Sequence, residues 1–252
     1  MKEKVNSGEI GKPLVVHGSY LQDWLLFDTD YNWRVEPEIG GKSRCIGDIG
    51  SHWMDCVQNI TGAKITDVCA DIVIAHPIRK KPTGAVETFS LNKSTDYEEK
   101  QVTTEDYAAV LIKMDNGAHG VFYVSEISAG RKCRLDFEID CELASMYWNQ
   151  ETSDQMWMGY RDEYNRHVMR NPLLMDKNAS DYSYLAAGHP EGWNDAMKNN
   201  VQSYYNFILE GKQIGTDDAA FATFYEGHYI TLLTEAILKS GSEKRWVSVE
   251  QD

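Results

Sequence analysis

The hydrophobic period changes several times along this chain. In residues 13–24 it is two, with Leu14, Val16, Gly18 and Tyr20 on one side and Val15, His17, Ser19 and Leu21 on the other, which predicts a strand. Residues 48–60 shift to helical spacing, with Ile49, Trp53, Val57 and Ile60 on one stripe, Asp48 near the start and Gly62 just past the end. Residues 65–75 return to strand character. Tyr107–Met114 and 119–127 read as a hairpin joined by Asp115-Asn116-Gly117, and 131–140 and 143–148 continue the meander. The tail is helical again. Residues 195–210 carry Met197, Val201, Tyr204, Tyr205 and Ile208 and stop at Gly211, and 218–239 carry Phe221, Tyr225, Leu232 and Ala236 before Gly241. Strands followed by helices predict an α+β fold, an open, mainly antiparallel sheet with helices packed on one face.

Four segments stand outside this pattern. Residues 3–11 read as the last turn of a helix closed by Gly8, so the chain opens as though it continues a preceding domain. Residues 25–45 form a long loop with Phe27, Asp28, Tyr31, Trp33, Arg34 and the pair Gly40-Gly41, and loops of that length are more often functional than idle. Residues 77–102, with Arg79-Lys80-Lys81-Pro82 and the acidic run 96–99, read as a solvated polar insertion of low order. A loop, Gly188-His189-Pro190-Glu191-Gly192-Trp193, separates the sheet from the helices. No internal repeat divides the 252 residues, which are expected to form one domain.

Composition narrows the function. A formal charge of −14 argues against nucleic acid and against an anionic membrane surface, since both need clustered Lys and Arg. Five cysteines without C-x-x-C spacing exclude a zinc ribbon or redox dithiol and fit reduced thiols in a cytoplasmic protein. The N-terminal residues lack the apolar stretch of a signal peptide, and no segment is long enough to span a bilayer.

The residues with most chemical content are Asp48, His52 and Asp55 in Gly47-Asp48-Ile49-Gly50-Ser51-His52-Trp53-Met54-Asp55. Offsets of four and three put them on one face of a helix, away from its apolar stripe. An imidazole flanked by carboxylates is suited to moving a proton near neutral pH. The same residues also suit a helix cap and a hydrogen-bonded structural histidine. A metal reading, with Asp48 and His52 joined by His189 or His228, is a further alternative, although H-E-x-x-H is absent. G-x-S-x-G is absent as well. Arg34 fits either an anchor for a polar ligand or a surface ion pair, and Trp24, Trp33 and Trp193 fit either sugar stacking or the core. No two glycines are separated by a single residue, so the chain holds no G-x-G-x-x-G dinucleotide fingerprint.

These motifs resemble the C-terminal domain of the glucose–fructose oxidoreductase, inositol dehydrogenase and MocA family (Gfo/Idh/MocA). The likeness rests on Ser7-Gly8-Glu9-Ile10-Gly11-Lys12-Pro13, on Trp33-Arg34 with Gly40-Gly41, and on the Gly47–Asp55 stretch. It continues in Gly188-His189-Pro190-Glu191-Gly192-Trp193 with Asp195-Ala196, in Glu226-Gly227-His228 and in Arg245-Trp246-Val247-Ser248-Val249. The resemblance implies a substrate-binding and oligomerisation domain spanning 1–252, with 1–11 left from an interdomain helix. It implies a preceding Rossmann domain that binds NAD or NADP, and a sugar, inositol or related polyol as substrate. His52 would accept the substrate's hydroxyl proton and Asp48 would orient it or bind substrate. Arg34, Trp33, Asp55, His189 and Trp193 would contact substrate or close the cleft. The family's Glu-Lys-Pro lysine has no counterpart here. The chain is therefore expected to be inactive alone, to bind no cofactor tightly, and to form a homodimer or tetramer through its sheet face. A non-catalytic sugar-binding or assembly module is the alternative from another class.

Overall fold

A computed structural model describes residues 1–84 and 96–250. Nine strands make one sheet in the order β10-β9-β8-β7-β1-β6-β5-β2-β11. They are β1 Pro13–Leu21, β2 Ile65–Val73, β5 Tyr107–Met114, β6 His119–Ser125, β7 Arg134–Cys141, β8 Ser145–Asn149, β9 Gln155–Gly159, β10 Arg166–Met169 and β11 Val247–Ser248. Only β1 and β6 pair in parallel; every other neighbouring pair is antiparallel, because most strands follow their partner through a short turn. The fold is the α+β arrangement expected from the sequence.

The helices are α1 Lys2–Asn6, α2 Pro37–Gly40, α3 Ser51–Thr61, α4 Lys177–Ser180, α5 Trp193–Leu209 and α6 Phe224–Glu243. α3 and α6 cover the inward positions of the central strands, where Val16, Tyr20, Val110, Phe122, Val124 and Ile139 are buried. Trp53 anchors α3. It is fully buried, stacks on Phe122 at a centroid distance of 4.4 Å, and donates Nε1–H to the Asp136 carbonyl at 3.1 Å. Gly18 leaves room for it, since a Cβ there would stand 2.8 Å from the indole nitrogen. Gly62 ends the helix in the left-handed conformation, φ +68°, that favours glycine.

Two expectations need correction. Residues 77–102 are not simply a solvated excursion. β3 Ile78–Pro82 pairs antiparallel with β4 Tyr97–Gln101 as a separate two-stranded sheet, while 85–95 lie outside the described residues. The apolar stripe expected to bury α5 is instead exposed at Met197, Val201, Tyr204, Tyr205 and Ile208, and of the helix only Phe207 is buried. The periodicity correctly marked a helix, but its apolar face stays largely exposed, with Tyr204 set edge-on to Phe221 at a centroid distance of 5.5 Å.

Arg79, read as part of a basic surface run, is fully buried. Its Nη atoms donate to the carbonyls of Leu25 (3.0 Å), Phe27 (2.8 Å) and Asp30 (3.1 Å) and to Asp106 Oδ1 (2.6 Å). Arg44, also buried, donates to the same Asp106 oxygen, and the other Asp106 oxygen accepts from Ala75 N at 2.7 Å and His76 N at 3.1 Å. Burial pushes the Asp106 carboxyl up, but the two guanidiniums and these hydrogen bonds outweigh it and hold the group below the usual range. Glu126 completes the cluster with its Oε2 3.5 Å from Arg44 Nη1, and neither of its oxygens receives a hydrogen bond. Burial, opposed by Arg44 and reinforced by Asp48, Glu105 and Asp106, pushes Glu126 up to about 8. With Glu126 protonated, the two guanidiniums are offset by the carboxylates of Asp106, which they contact, and of Glu105, which backbone N–H groups hold, so no net charge is buried.

Two stability tests follow from this architecture. Trp53→Ala should cost about 3–5 kcal/mol in urea denaturation, whereas Tyr205→Ala on the exposed face of α5 should stay within about 0.5 kcal/mol. Glu126 is an acid whose folded pKa exceeds its unfolded value. Its contribution to stability is fully present below the unfolded pKa, near 4.5, and is lost as pH rises toward 8. Glu126→Gln should therefore gain stability over the parent progressively between those limits. Parallel stability–pH curves would refute the assignment.

Candidate active site

The helix bearing Asp48 and His52 begins earlier than its apolar stripe suggests. Ile46–Gly50 form a π-helical turn that runs directly into α3. Glu105 caps this start by accepting from Ser43 Oγ at 2.7 Å, Arg44 N at 2.9 Å and Ile46 N at 3.0 Å, an anion where backbone N–H groups lack helical acceptors. Asp48 is therefore not the cap. It sits inside the wide turn, half-buried, and its carboxylate is free for other partners. π-turns of this kind recur at functional sites because they re-aim a side chain without breaking the helix.

Asp48 Oδ2 lies 3.3 Å from Arg34 Nε. Asn32 and the 3₁₀ turn Trp33–Val35 hold that arginine in place. Asn32 Oδ1 accepts from Arg34 N at 3.2 Å and from Nη1 at 3.3 Å, and the guanidinium carbon sits 4.5 Å from the Trp33 ring centroid and 5.9 Å from that of Trp24. Trp33, Arg34, Lys42 and Asp48 on one side, with Thr231 and Thr234 of α6 on the other, line a cleft of about 490 Å³. That is within the roughly 300–1,000 Å³ of small-molecule sites.

His52 is exposed and stands one turn beyond Asp48, outside the cleft lining. Its ring is 6.0 Å from that of Tyr20, and no hydrogen bond joins it to Asp48 or to any other described residue. Both imidazole nitrogens are thus open to a ligand. Asp55 is half-buried and turned toward the opening of α6. Burial and then Glu226 raise its carboxyl above the usual range, partly offset by Lys64 and His52. Trp33 is exposed on the cleft rim.

His189 and Trp193 are not brought to this pair. Their loop is tied elsewhere: Arg170 bonds Asp154 through Nε at 2.6 Å and the Leu185 carbonyl at 2.9 Å, and also reaches the His189 carbonyl. Trp193 opens α5 with 62% of its surface exposed. Among the described residues, neither His189 nor His228 forms a group of metal-ligating atoms with Asp48 and His52, so the metal reading of that pair loses its support.

Tyr20 was not singled out from sequence, although it ends the inward face of β1. Its hydroxyl is 3.0 Å from Cys133 Sγ, to which Gln150 Nε2 donates at 3.5 Å. Burial, then the contact with Cys133, raises the phenol well above its usual range, and the charge of Asp48 adds to this. Tyr20 is thus a neutral hydroxyl between the acid and the imidazole. Of the five cysteines, Cys45 is buried and four are half-buried, and all are free thiols. No helix among the described residues is long and apolar enough to cross a membrane.

Comparison with known proteins agrees with this architecture. The chain is 24% identical over 264 residues to levoglucosan dehydrogenase of Pseudarthrobacter phenanthrenivorans, covering 99% of this chain and 63% of that protein. The crystal structure of an oxidoreductase domain protein from Kribbella flavida superposes with a TM-score of 0.84 at 24% identity, over 99% of this chain and 63% of the other. A levoglucosan dehydrogenase complex with NADH and levoglucosan superposes with a TM-score of 0.83 at 24% identity, over 100% of this chain and 62% of the other. At these identities the structures establish a shared fold, and the chain spans less than two thirds of each relative's length. The GFO/IDH/MocA C-terminal domain model matches residues 1–147. With more than half its residues matched, the chain belongs to the GFO/IDH/MocA C-terminal domain family, whose relatives named above include oxidoreductases.

Proposed function

We propose that this chain is the substrate-binding and proton-handling part of an NAD(P)-dependent oxidoreductase acting on a hydroxyl-bearing carbon of a sugar, inositol or related polyol. The observation that carries the reading is His52, an exposed imidazole with both nitrogens open, held one turn from Asp48 beside the cleft under Trp33 and Arg34. The levoglucosan dehydrogenase complex with NADH and levoglucosan supports the substrate and cofactor classes.

A nicotinamide cofactor supplies the hydride acceptor when bound, and on this reading a Rossmann domain outside this chain would hold it, in keeping with the absence of G-x-G-x-x-G here. His52 takes the hydroxyl proton as the carbinol carbon becomes a carbonyl, and returns it in the reverse reaction. Asp48, already paired with Arg34, binds substrate hydroxyls and keeps the guanidinium beside the cleft. Trp33 offers an apolar ring face to a sugar. The chain alone, on this reading, does not turn over. On this reading the exposed face of α5 and the exposed Phe224 and Tyr225 of α6 would offer an apolar surface to such a domain.

In the protein that includes the dinucleotide domain, His52→Ala should lower kcat by roughly 10²–10⁴-fold while the NADH dissociation constant stays unchanged. Parental kcat in that variant would remove His52 from the mechanism. The face of the sheet away from the helices exposes Val15, Leu111, Val121 and Tyr123, each at least 40% accessible, and we assign it to self-association as a dimer or tetramer. Light scattering should give a multiple of the chain mass, reduced by Val121→Asp. A parent of single-chain mass would sink this assignment.

A further inference from the structure

The open face of the sheet carries polar residues that the proton-transfer site leaves unused. The register of β1 and β7 sets His17 directly opposite Glu138, and Asp140 follows on the same side of β7. His17 Nε2 stands 3.5 Å from Asp140 Oδ2 and 4.0 Å from Glu138 Oε2, and the three atoms lie within 4.8 Å of one another. Among the described residues this is the only group of three or more His, Cys, Asp or Glu side chains so placed. It lies on the opposite side of the sheet from Tyr20 and His52, because His17 and Tyr20 fall on alternate faces of β1.

Bond lengths of about 2.0–2.2 Å from a zinc-type ion to nitrogen and oxygen put two corners of a tetrahedron roughly 3.3–3.6 Å apart. His17 and Asp140 already have that separation, and Glu138 needs a few tenths of an ångström, well within the reach of its flexible side chain. Asp140 is held for the purpose: Ser145 Oγ donates to Oδ1 at 2.6 Å and leaves Oδ2 facing the imidazole, an outer-shell contact of the kind that orients metal ligands. Glu138 gains from a cation as well. Burial raises its carboxyl above the usual range, His17 offsets this, and Asp140 and Asp136 add to it. Two carboxylates converging on one imidazole leave more negative charge than a single protonated histidine neutralises.

We propose that His17, Glu138 and Asp140 form a binding site for a first-row divalent cation of the zinc class, with three protein ligands and the remaining position on the sheet face assigned above to self-association. One nitrogen and two carboxylate oxygens suit zinc and its transition-metal neighbours better than calcium, which takes six to eight oxygens. Both strands are central in the sheet, so the ion clips β1 to β7 through side chains in addition to the backbone ladder. The proposal uses none of the residues assigned to proton transfer, and it lies on the face assigned to self-association, where His17 pairs with Val121.

The test is calorimetric titration of the chelator-treated chain with zinc chloride. One equivalent per chain is expected. Affinity should fall at least about tenfold in His17→Ala and in Glu138→Gln, and stay unchanged in His167→Ala on the edge strand β10. Zinc should raise the Tm of the parent and leave that of His17→Ala unmoved, a readout that separates lost ligation from lost folding. Equal affinity in parent and His17→Ala, or no saturable binding below millimolar zinc, would overturn the site.

Discussion

One buried carboxylate holds the candidate active site together. Asp106 receives two guanidiniums and two backbone N–H groups, from Arg44, from Ala75 and His76, and from Arg79, three separate stretches of the chain. Through Arg79 it fixes the loop after β1, because the same guanidinium holds the Leu25, Phe27 and Asp30 carbonyls. Through Arg44 it fixes the residue that opens the π-turn. Burying three charged groups costs several kcal/mol per ion before pairing, so the arrangement persists only with all partners in place. The trio is weak evidence for extra stability. Its effect is geometric, since the loop leading to Arg34 and the turn carrying Asp48, which meet on one wall of the cleft, are both referred to Asp106.

Much of this was legible in the sequence, and the residues that were not share a physical reason. The hairpin turn at Asp115-Asn116-Gly117 sets the register of β5 against β6, and counting outward from it places Asp106 beside Glu126, where the Glu126 amide bonds the Asp106 carbonyl at 3.1 Å. Pairing alone thus puts the acids side by side, but nothing local says that two arginines come to meet them. Arg79 sits in a basic run whose neighbours Lys80 and Lys81 do reach partly exposed acids. Its burial depends on a loop some fifty residues earlier, beyond the range of any periodicity argument. The α5 stripe fails in the opposite sense. Its spacing identified the helix, yet Met197, Val201, Tyr204, Tyr205 and Ile208 stay exposed, because spacing marks an apolar face without saying whether another surface meets it.

The helix that carries Asp48 and His52 shows the same division. Offsets of four and three residues placed Asp48, His52 and Asp55 on one α-helical face, and that reasoning assumed 3.6 residues per turn throughout. The π-turn at Ile46–Gly50 breaks the assumption where it matters. Glu105 takes the capping role, which frees the Asp48 carboxylate for Arg34, and Asp55 faces Glu226 and Lys64 rather than the cleft. The helix thus presents a carboxylate to the cleft and, one turn on, an unengaged imidazole beside Tyr20.

The sheet separates two kinds of polar chemistry by its pleat. On β1 the inward positions end in Tyr20, beneath the helix that carries His52, while the outward positions include His17. On β7 the inward Leu135, Phe137 and Ile139 are core, while Asp136, Glu138 and Asp140 line the outer face. A period of two therefore keeps the acidic ladder of β7 away from the imidazole at the cleft, with a layer of buried side chains between them.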